Sequence, residues 1–239
     1  FDINCGMRLL RTPLTEDEVR PRLRELINAL FAAVPSGVGA KGFVHLSETQ
    51  FSEVMVEGSG WCVRHGFGWP EDLERTEGQG CLPGADPAHV SARAVSRGRD
   101  QLGTLGSGNH YLEIQVIRPD GIHDPAAARA LGVDAPGQIF VMLHCGSRGF
   151  GHQIGTDYLR IFDQVMRHYG ITVNDRELAC APFRSKEGQA YFGAMTAAAN
   201  SAFVNRQVIT HRVREVMGRV FGKDPRELGL SVVYDVCHN

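Results

Sequence analysis

Candidate metal ligands stand at both extremities of this chain. Asp2 and Cys5 lie in Phe1-Asp2-Ile3-Asn4-Cys5-Gly6, and His238 lies in Tyr234-Asp235-Val236-Cys237-His238-Asn239. Two further histidines have strand-plus-glycine settings: His110 closes Gly106-Ser107-Gly108-Asn109-His110, and His144 opens His144-Cys145-Gly146-Ser147-Arg148-Gly149. Ligands drawn from both ends imply a site assembled by the whole fold. A chain that begins and ends inside such motifs also reads as part of something longer.

The 239 residues suit one large domain, taken here as 1–239. A hydrophobic fraction of 43% and an aromatic fraction of 8% suit a packed soluble core. The 25 basic and 27 acidic residues give a net charge of −2, which argues against nonspecific coating of polyanions. Nucleic acid stays open as a partner, because bound divalent cations add positive charge locally. No apolar run reaches membrane length, and the start lacks the basic and hydrophobic regions of a signal peptide. The six cysteines are scattered without a Cys-x-x-Cys pair, which reads as a reduced, cytoplasmic protein.

The pattern along the chain is mixed α and β. Arg8 to Thr12 reads as a strand. Thr15 then caps a helix expected to reach Ala33, with Glu16, Asp17 and Glu18 in its first turn and Val19, Leu23, Leu26, Ile27 and Leu30 on its apolar face. Pro35 to Gly42 is a glycine-rich loop. Residues 57–86, rich in Gly, Pro and charge, read as a long irregular excursion. Pro87 to Arg99 is expected to be helical. Tyr111 to Ile117 alternates as a half-buried strand, and Ile139 to Leu143 is a buried strand ending at His144. A helix opens near Gly151 and runs to about Tyr169. A long one runs from about Lys186 to Phe221, stopped by Gly222, and Leu230 to Tyr234 forms the last strand. The fold class expected is α+β: mixed sheets with flanking helices around a central metal-binding cleft.

Asp2 and Cys5 can converge on one or two cations if the backbone turns, and a thiolate can bridge two cations. Neutral imidazoles at His110, His144 and His238 suit zinc, manganese or iron. A histidine at a strand end can equally be structural. Gly103 to Gly108 and Gly146 to Gly149 offer backbone N–H groups to an anion, and Arg148 at a helix start could hold a phosphate bidentately. The same loops also suit tight turns needing positive φ. Asn109 could donate to a phosphate, and Glu113 could accept from a base or ribose or simply face solvent. His152, near a helix start, reads as its cap. His45, His65, His89, His123, His168 and His211 read as surface or loop residues. Cys145 and Cys237 read as packing residues. Asn200, Asn205 and Arg206 read as solvated or interhelical, with a substrate groove as the other option.

Six motifs together resemble the RtcB-type RNA-splicing ligases. They are Asp2-Ile3-Asn4-Cys5-Gly6, Pro35-Ser36-Gly37-Val38-Gly39, Gly103-Thr104-Leu105-Gly106-Ser107-Gly108-Asn109-His110, His144-Cys145-Gly146-Ser147-Arg148-Gly149, Tyr191-Phe192-Gly193-Ala194-Met195 and Tyr234-Asp235-Val236-Cys237-His238-Asn239. They come in the family's order and span essentially the whole chain. The resemblance implies an RNA ligase of tRNA splicing and RNA repair. It would join an RNA 3′-phosphate or 2′,3′-cyclic phosphate end to a 5′-hydroxyl end, with GTP and two manganese ions. Asp2, Cys5 and His110 would hold one ion; Cys5, His144 and His238 would hold the other. Asn109, Glu113 and Asn239 would contact the guanylate, and Arg148 the RNA phosphate. The family's protein partner archease is implied as an activator, and a monomeric state is expected.

The implied chemistry opens the cyclic phosphate with water, guanylylates a histidine, passes GMP to the RNA 3′-phosphate and completes with attack by the 5′-hydroxyl. In the family the guanylylated histidine lies well beyond the motif matching His238-Asn239. None of the ten histidines matches it, so these residues alone are expected not to form the covalent intermediate. Two other classes fit the same site residues: a metal-dependent phosphoesterase working without nucleotide, and a noncatalytic RNA-binding segment.

Overall fold

The computed structural model describes residues 2–238. Strand-forming stretches of alternating or continuous apolar character become β1 (Gly6–Thr15), β2 (Tyr111–Val116), β3 (Gln138–Cys145) and β4 (Ser231–Cys237). They form one sheet in the order β2-β3-β1-β4. In place of the expected mixed sheets, every strand pairing among the described residues is antiparallel. The reason is directional: central β1 runs away from the ligand-bearing end, while both its neighbours run towards it. Parallel contacts are limited to the isolated bridges Ser36–Gly106 and Thr76–Asp235.

The helix expected from Thr15 to Ala33 is interrupted. Glu16–Val19 forms α1, Arg20–Arg22 tightens into a 3₁₀ turn around Pro21, and Leu23–Ala33 forms α2. Proline lacks the N–H that a continuous helix needs. Val19, Leu26 and Leu30 are buried, but Leu23 and Ile27 are 40% and 44% exposed, so the buried stripe is narrower than the periodicity suggested. The stretch 57–86 is not irregular either. It holds α4 (Ser59–Arg64) and α5 (Pro70–Glu74), pinned by the buried Trp61, Cys62 and Asp72. Before it, α3 (Glu48–Glu57) starts at a Ser47/Gln50 capping box. The remaining helices are α6 (Ala92–Arg99), α7 (Pro125–Ala130), α8 (Arg148–Val165) and α9 (Lys186–Phe221).

Helix α9 matches the expected bounds because its ends are chemically marked. Ser185 Oγ accepts from the Gly188 N–H, and Gly222 closes the helix at φ 66° in the left-handed region. Two apolar clusters share this helix. One joins its N-terminal half to Phe51, Trp61, Ala94, Phe150 and Ile154; the other joins its C-terminal half to Leu10, Leu26, Val141, Leu143 and Leu230. No helix among the described residues is long and apolar enough to cross a membrane. No disulfide links any of the six cysteines among the described residues.

Between the two clusters lies a buried polar seam. The Asp235 carboxylate accepts from Arg8 Nε at 2.7 Å and from Arg206 Nη2 at 2.8 Å, and all three side chains are sealed from solvent. Arg8 continues to Gln207 and Thr210, Gln207 to Asp72, and Asp72 to Arg214. Burial raises the Asp235 carboxyl pKa, but Arg206 and Arg8 outweigh it and hold the group below the usual carboxylate range. Asp72 behaves likewise: burial is outweighed by Arg214.

A depressed folded-state pKa gives stability that is present above the unfolded value, about 3.9, and lost as pH falls through the folded value. Urea midpoints should therefore drop steeply below about pH 4. Asp235→Ala strands two buried guanidiniums and should cost about 3–5 kcal/mol at neutral pH, read from the same unfolding curves.

Candidate metal centre

Antiparallel pairing decides where the ligand-bearing segments meet. β1 and β2 start, and β3 and β4 finish, at one end of the sheet. Gly6 pairs with both Cys145 and Cys237, and Tyr111 pairs with His144. Cys5 before β1, His110 before β2, His144 in β3 and His238 after β4 gather there. The His238 N–H donates to the Cys5 carbonyl at 3.0 Å, which ties the two extremities directly.

The side chains converge. Cys5 Sγ lies 3.3 Å from His110 Nε2 and 3.1 Å from His144 Nε2. His144 Nε2 lies 2.8 Å from His238 Nε2, and His110 Nε2 lies 2.9 Å from Asp2 Oδ2. The ligand atoms form two triads, Asp2/Cys5/His110 and Cys5/His144/His238, with separations inside each of at most 4.8 Å. Cys5 belongs to both.

The outer ring nitrogens fix the chemistry of the inner ones. His144 Nδ1 is 3.0 Å from the Asn109 carbonyl, and His110 Nδ1 is 3.0 Å from the Leu105 carbonyl. A carbonyl only accepts, so each Nδ1 carries a hydrogen, and in a neutral ring Nε2 turns its lone pair inward. Burial lowers the His144 pKa and favours the neutral ring. The centre thus gathers imidazole nitrogens, a carboxylate and a sulfur, a donor set that a cation would match once the thiol gives up its proton.

Two acidic groups respond oppositely. Burial, reinforced by the Asp2 charge, pushes the Cys5 thiol up to about 12. The Asp2 carboxyl is raised by burial but lowered more by His110 and by the Ser147 hydroxyl, which donates at 3.1 Å. Asp2 comes close because position 146 is glycine: a Cβ there would lie 2.5 Å from Asp2 Oδ1.

Beside Asp2 and His110 opens a pocket of about 430 Å³ reached also by Arg97, Gln101, Asn109 and Arg148. Arg148 begins α8 in the left-handed region at φ 58°, its Nη1 is 3.1 Å from His110 Nδ1, and its Nε is buried without a partner. The Asn109 side chain is exposed. Glu113 is also exposed, with Oε2 accepting from Gln115 at 2.9 Å. It pairs with Met142 while Tyr111 pairs with His144, so strand alternation puts Glu113 on the His144 face. Asn239 lies outside the described residues. His152 is exposed one turn into α8 rather than at its cap. Of the remaining histidines, His211 is half-buried against Phe67, whereas His45, His65, His89, His123 and His168 are exposed.

Of the options for Asn200, Asn205 and Arg206 on α9, the solvated one fails: all three are buried between elements, and Asn200 reaches helix α3. Asn200 bonds the backbone at Met55 and Leu82. Asn205 holds Gly103, Thr104 and Gly146. Arg206 holds Asn4, Cys145 and Asp235. Their spacing on the apolar stripe beside Ala198, Ala202 and Ile209 was the available signal.

Fold and side chains together define a mixed α/β protein with a candidate two-cation centre at one end of an antiparallel sheet. The family described as tRNA-splicing ligase RtcB matches residues 1–239, and the chain belongs to that family. The tRNA-splicing ligase RtcB of Pyrococcus abyssi is 56% identical over 236 residues, covering 99% of this chain and 25% of that protein. Those of Pyrobaculum aerophilum and Archaeoglobus fulgidus are 53% and 51% identical over 239 residues, covering 100% of this chain and 49% of each relative. The chain thus spans between a quarter and a half of the length of these relatives.

Cobalt(II) titration should register two bound equivalents. Cys5→Ala should weaken both and His238→Ala chiefly one, each by at least about tenfold. Since the Cys5 proton must leave, affinity should rise from pH 6 to pH 8, measured by calorimetry in buffers of differing ionisation heat.

Proposed function

We propose that this chain is the cation- and nucleotide-binding core of an RNA ligase that joins 3′-phosphate or 2′,3′-cyclic phosphate ends to 5′-hydroxyl ends with GTP and two manganese ions. Residues 1–239 act in this reading as one catalytic-core domain of a cytoplasmic tRNA-splicing and RNA-repair enzyme. The observation that carries it is the pair of ligand triads joined at Cys5. Family membership and the names of the relatives support the ligase class.

The donor set fits manganese, which accepts nitrogen, oxygen and sulfur together. Asp2, Cys5 and His110 would hold one ion and Cys5, His144 and His238 the other. Bound there, two cations neutralise and orient phosphate oxygens. The protein's own groups divide the remaining work. The Asn109 carbonyl orients His144 while its side chain is free to meet a nucleotide phosphate. Glu113, on the His144 face of the sheet, accepts from guanine or ribose, and Asn239 completes the guanylate contacts.

Arg148 takes the RNA phosphate. The His110 Nδ1 hydrogen is committed to the Leu105 carbonyl, so that nitrogen offers Arg148 no lone pair. A guanidinium with a buried unpartnered Nε at the start of an 18-residue helix meets the requirements for an anion site.

GTP retention on calorimetry should require manganese. Glu113→Ala should weaken GTP at least about tenfold without changing the number of cations bound, and Arg148→Ala should weaken 3′-phosphorylated RNA while sparing GTP. Manganese-dependent phosphate-ester hydrolysis without any GTP binding would replace the ligase reading with a phosphoesterase. Unchanged RNA affinity in a Cys5→Ala protein that has lost its cations would favour a noncatalytic RNA-binding role.

A further inference from the structure

We infer that Arg206 is the positioning residue of the Cys5/His144/His238 triad, setting the distances among its ligands through the backbone that carries them. The inference rests on the cation-binding reading above. It starts from the donor inventory of one guanidinium. Arg206 Nη1 donates to the Asn4 carbonyl at 2.8 Å and to the Cys145 carbonyl at 3.0 Å. Nη2 donates to Asn4 Oδ1 at 3.1 Å and to Asp235 Oδ1 at 2.8 Å. Nε donates to Asp235 Oδ2 at 2.8 Å. These contacts use all five N–H groups of the side chain.

The partners are not a random sample of the fold. Asn4 immediately precedes Cys5, Cys145 immediately follows His144, and Asp235 lies three residues before His238. Each ligand of this triad therefore has its segment tied to the same planar group. The Asp2/His110 side of the centre has other supports, the Leu105 carbonyl and the Ser147 hydroxyl. Arg206 should therefore act unequally on the two triads.

Local backbone conformation points the same way. Asn4 is held at φ 54°, a region that costs a non-glycine residue energy and persists only where surroundings impose it. Its side chain is clamped on both ends, by Arg206 and by the Ala199 carbonyl that accepts from Nδ2 at 2.8 Å. Gly6 leaves the guanidinium room: a Cβ there would sit 3.0 Å from Arg206 Cζ and 2.6 Å from the Val236 carbonyl oxygen. Lysine can replace the charge but not the planar fork, so it can reach only part of this set.

The test compares Arg206→Lys with the unaltered protein and with Arg214→Lys. Arg214 is also buried and charge-paired, but its partners are Asp72 and the Leu230 carbonyl, neither adjacent to a ligand. Three readouts are taken: cation-free melting temperature, stoichiometry and affinity for cobalt(II), and the thiolate-to-cobalt charge-transfer band. Arg206→Lys should weaken the equivalent held with His144 and His238 by about 10–100-fold, weaken the other less because the two share Cys5, and shift the charge-transfer band. Arg214→Lys should lower the melting temperature while both equivalents and the band stay unchanged.

If Arg206→Lys does not fold, Asn4→Gly decides, since it removes the side-chain clamp and tolerates the backbone angle. It should weaken both equivalents, because Asn4 carries Cys5, the ligand that the two triads share. Two tight equivalents and an unchanged band in folded Arg206→Lys, or in Asn4→Gly when the first variant fails, would overturn the inference. Equal cation loss in Arg214→Lys would overturn it as well, by reducing the effect to general destabilisation. Absence of cobalt binding in the unaltered protein would instead refute the cation-binding reading itself.

Discussion

The sealed Asp235 carboxylate is the interaction on which the rest of the structure hangs. It comes from β4, and the arginines that grip it come from β1 and α9. An unpaired buried carboxylate would take up a proton rather than keep its charge. Here two guanidiniums keep it ionised. Apolar side chains of similar volume could stabilise such a seam at least as well. What ions add is direction, because a guanidinium fork accepts only partners in its plane and at its angles. The seam consequently sets the offset between sheet and helix, and with it the place where the strand ends open.

That offset explains why a centre built from residues so distant in sequence can be compact. Cys5 and His238 meet because β1 and β4 are adjacent and antiparallel, and Gly6 faces Cys237 across the ladder. His144 enters from the other side of β1, and His110 arrives one strand further out. Four of the five candidate ligands, all but Asp2, sit one residue from the end of a strand, where the backbone is held by the ladder but the side chain is no longer spent on core packing. The carbonyls of Leu105 and Asn109 then orient the rings from the loop before β2.

The parts of this picture that the sequence revealed are those with local signatures. Ser185 and Gly222 bound α9 by chemistry that needs no tertiary context, and the apolar run from Ile139 to Leu143 could only be buried. The ligand residues stood out as motifs, yet no local rule says that Asp2 and His238 share a site; that follows from strand order, a property of the whole chain. Pro21 was visible, but its effect was lost in the apolar period around it. Residues 57–86 looked loop-like by composition because the anchors of α4 and α5, Trp61 and Asp72, bury against distant partners. The Ser47/Gln50 capping box announced α3 and was passed over. The solvated option for Arg206 fails for a deeper reason. A charged residue on a helix is ordinarily solvated, and only the simultaneous burial of Asp235, 29 residues away, reverses that expectation.

The seam and the centre also share an electrostatic logic. Arg8, Arg206 and Arg214 face Asp72 and Asp235 in one hydrogen-bonded set, so positive charge is in excess among these five side chains. Of the three seam arginines, Arg206 bonds the backbone beside Cys5, and its charge lowers the Cys5 pKa against the larger effects of burial and Asp2. Burial alone would make Cys5 a poor ligand, since a thiol must shed its proton to bind a cation. The excess charge in the seam works towards the thiolate, and a thiolate in turn favours the charged Arg206. The same guanidinium that orders the ligand-bearing backbones thus also favours the ionised form of the ligand that both triads share. Arg206 thus bonds both the seam carboxylate and the backbone beside the candidate ligands Cys5 and His144.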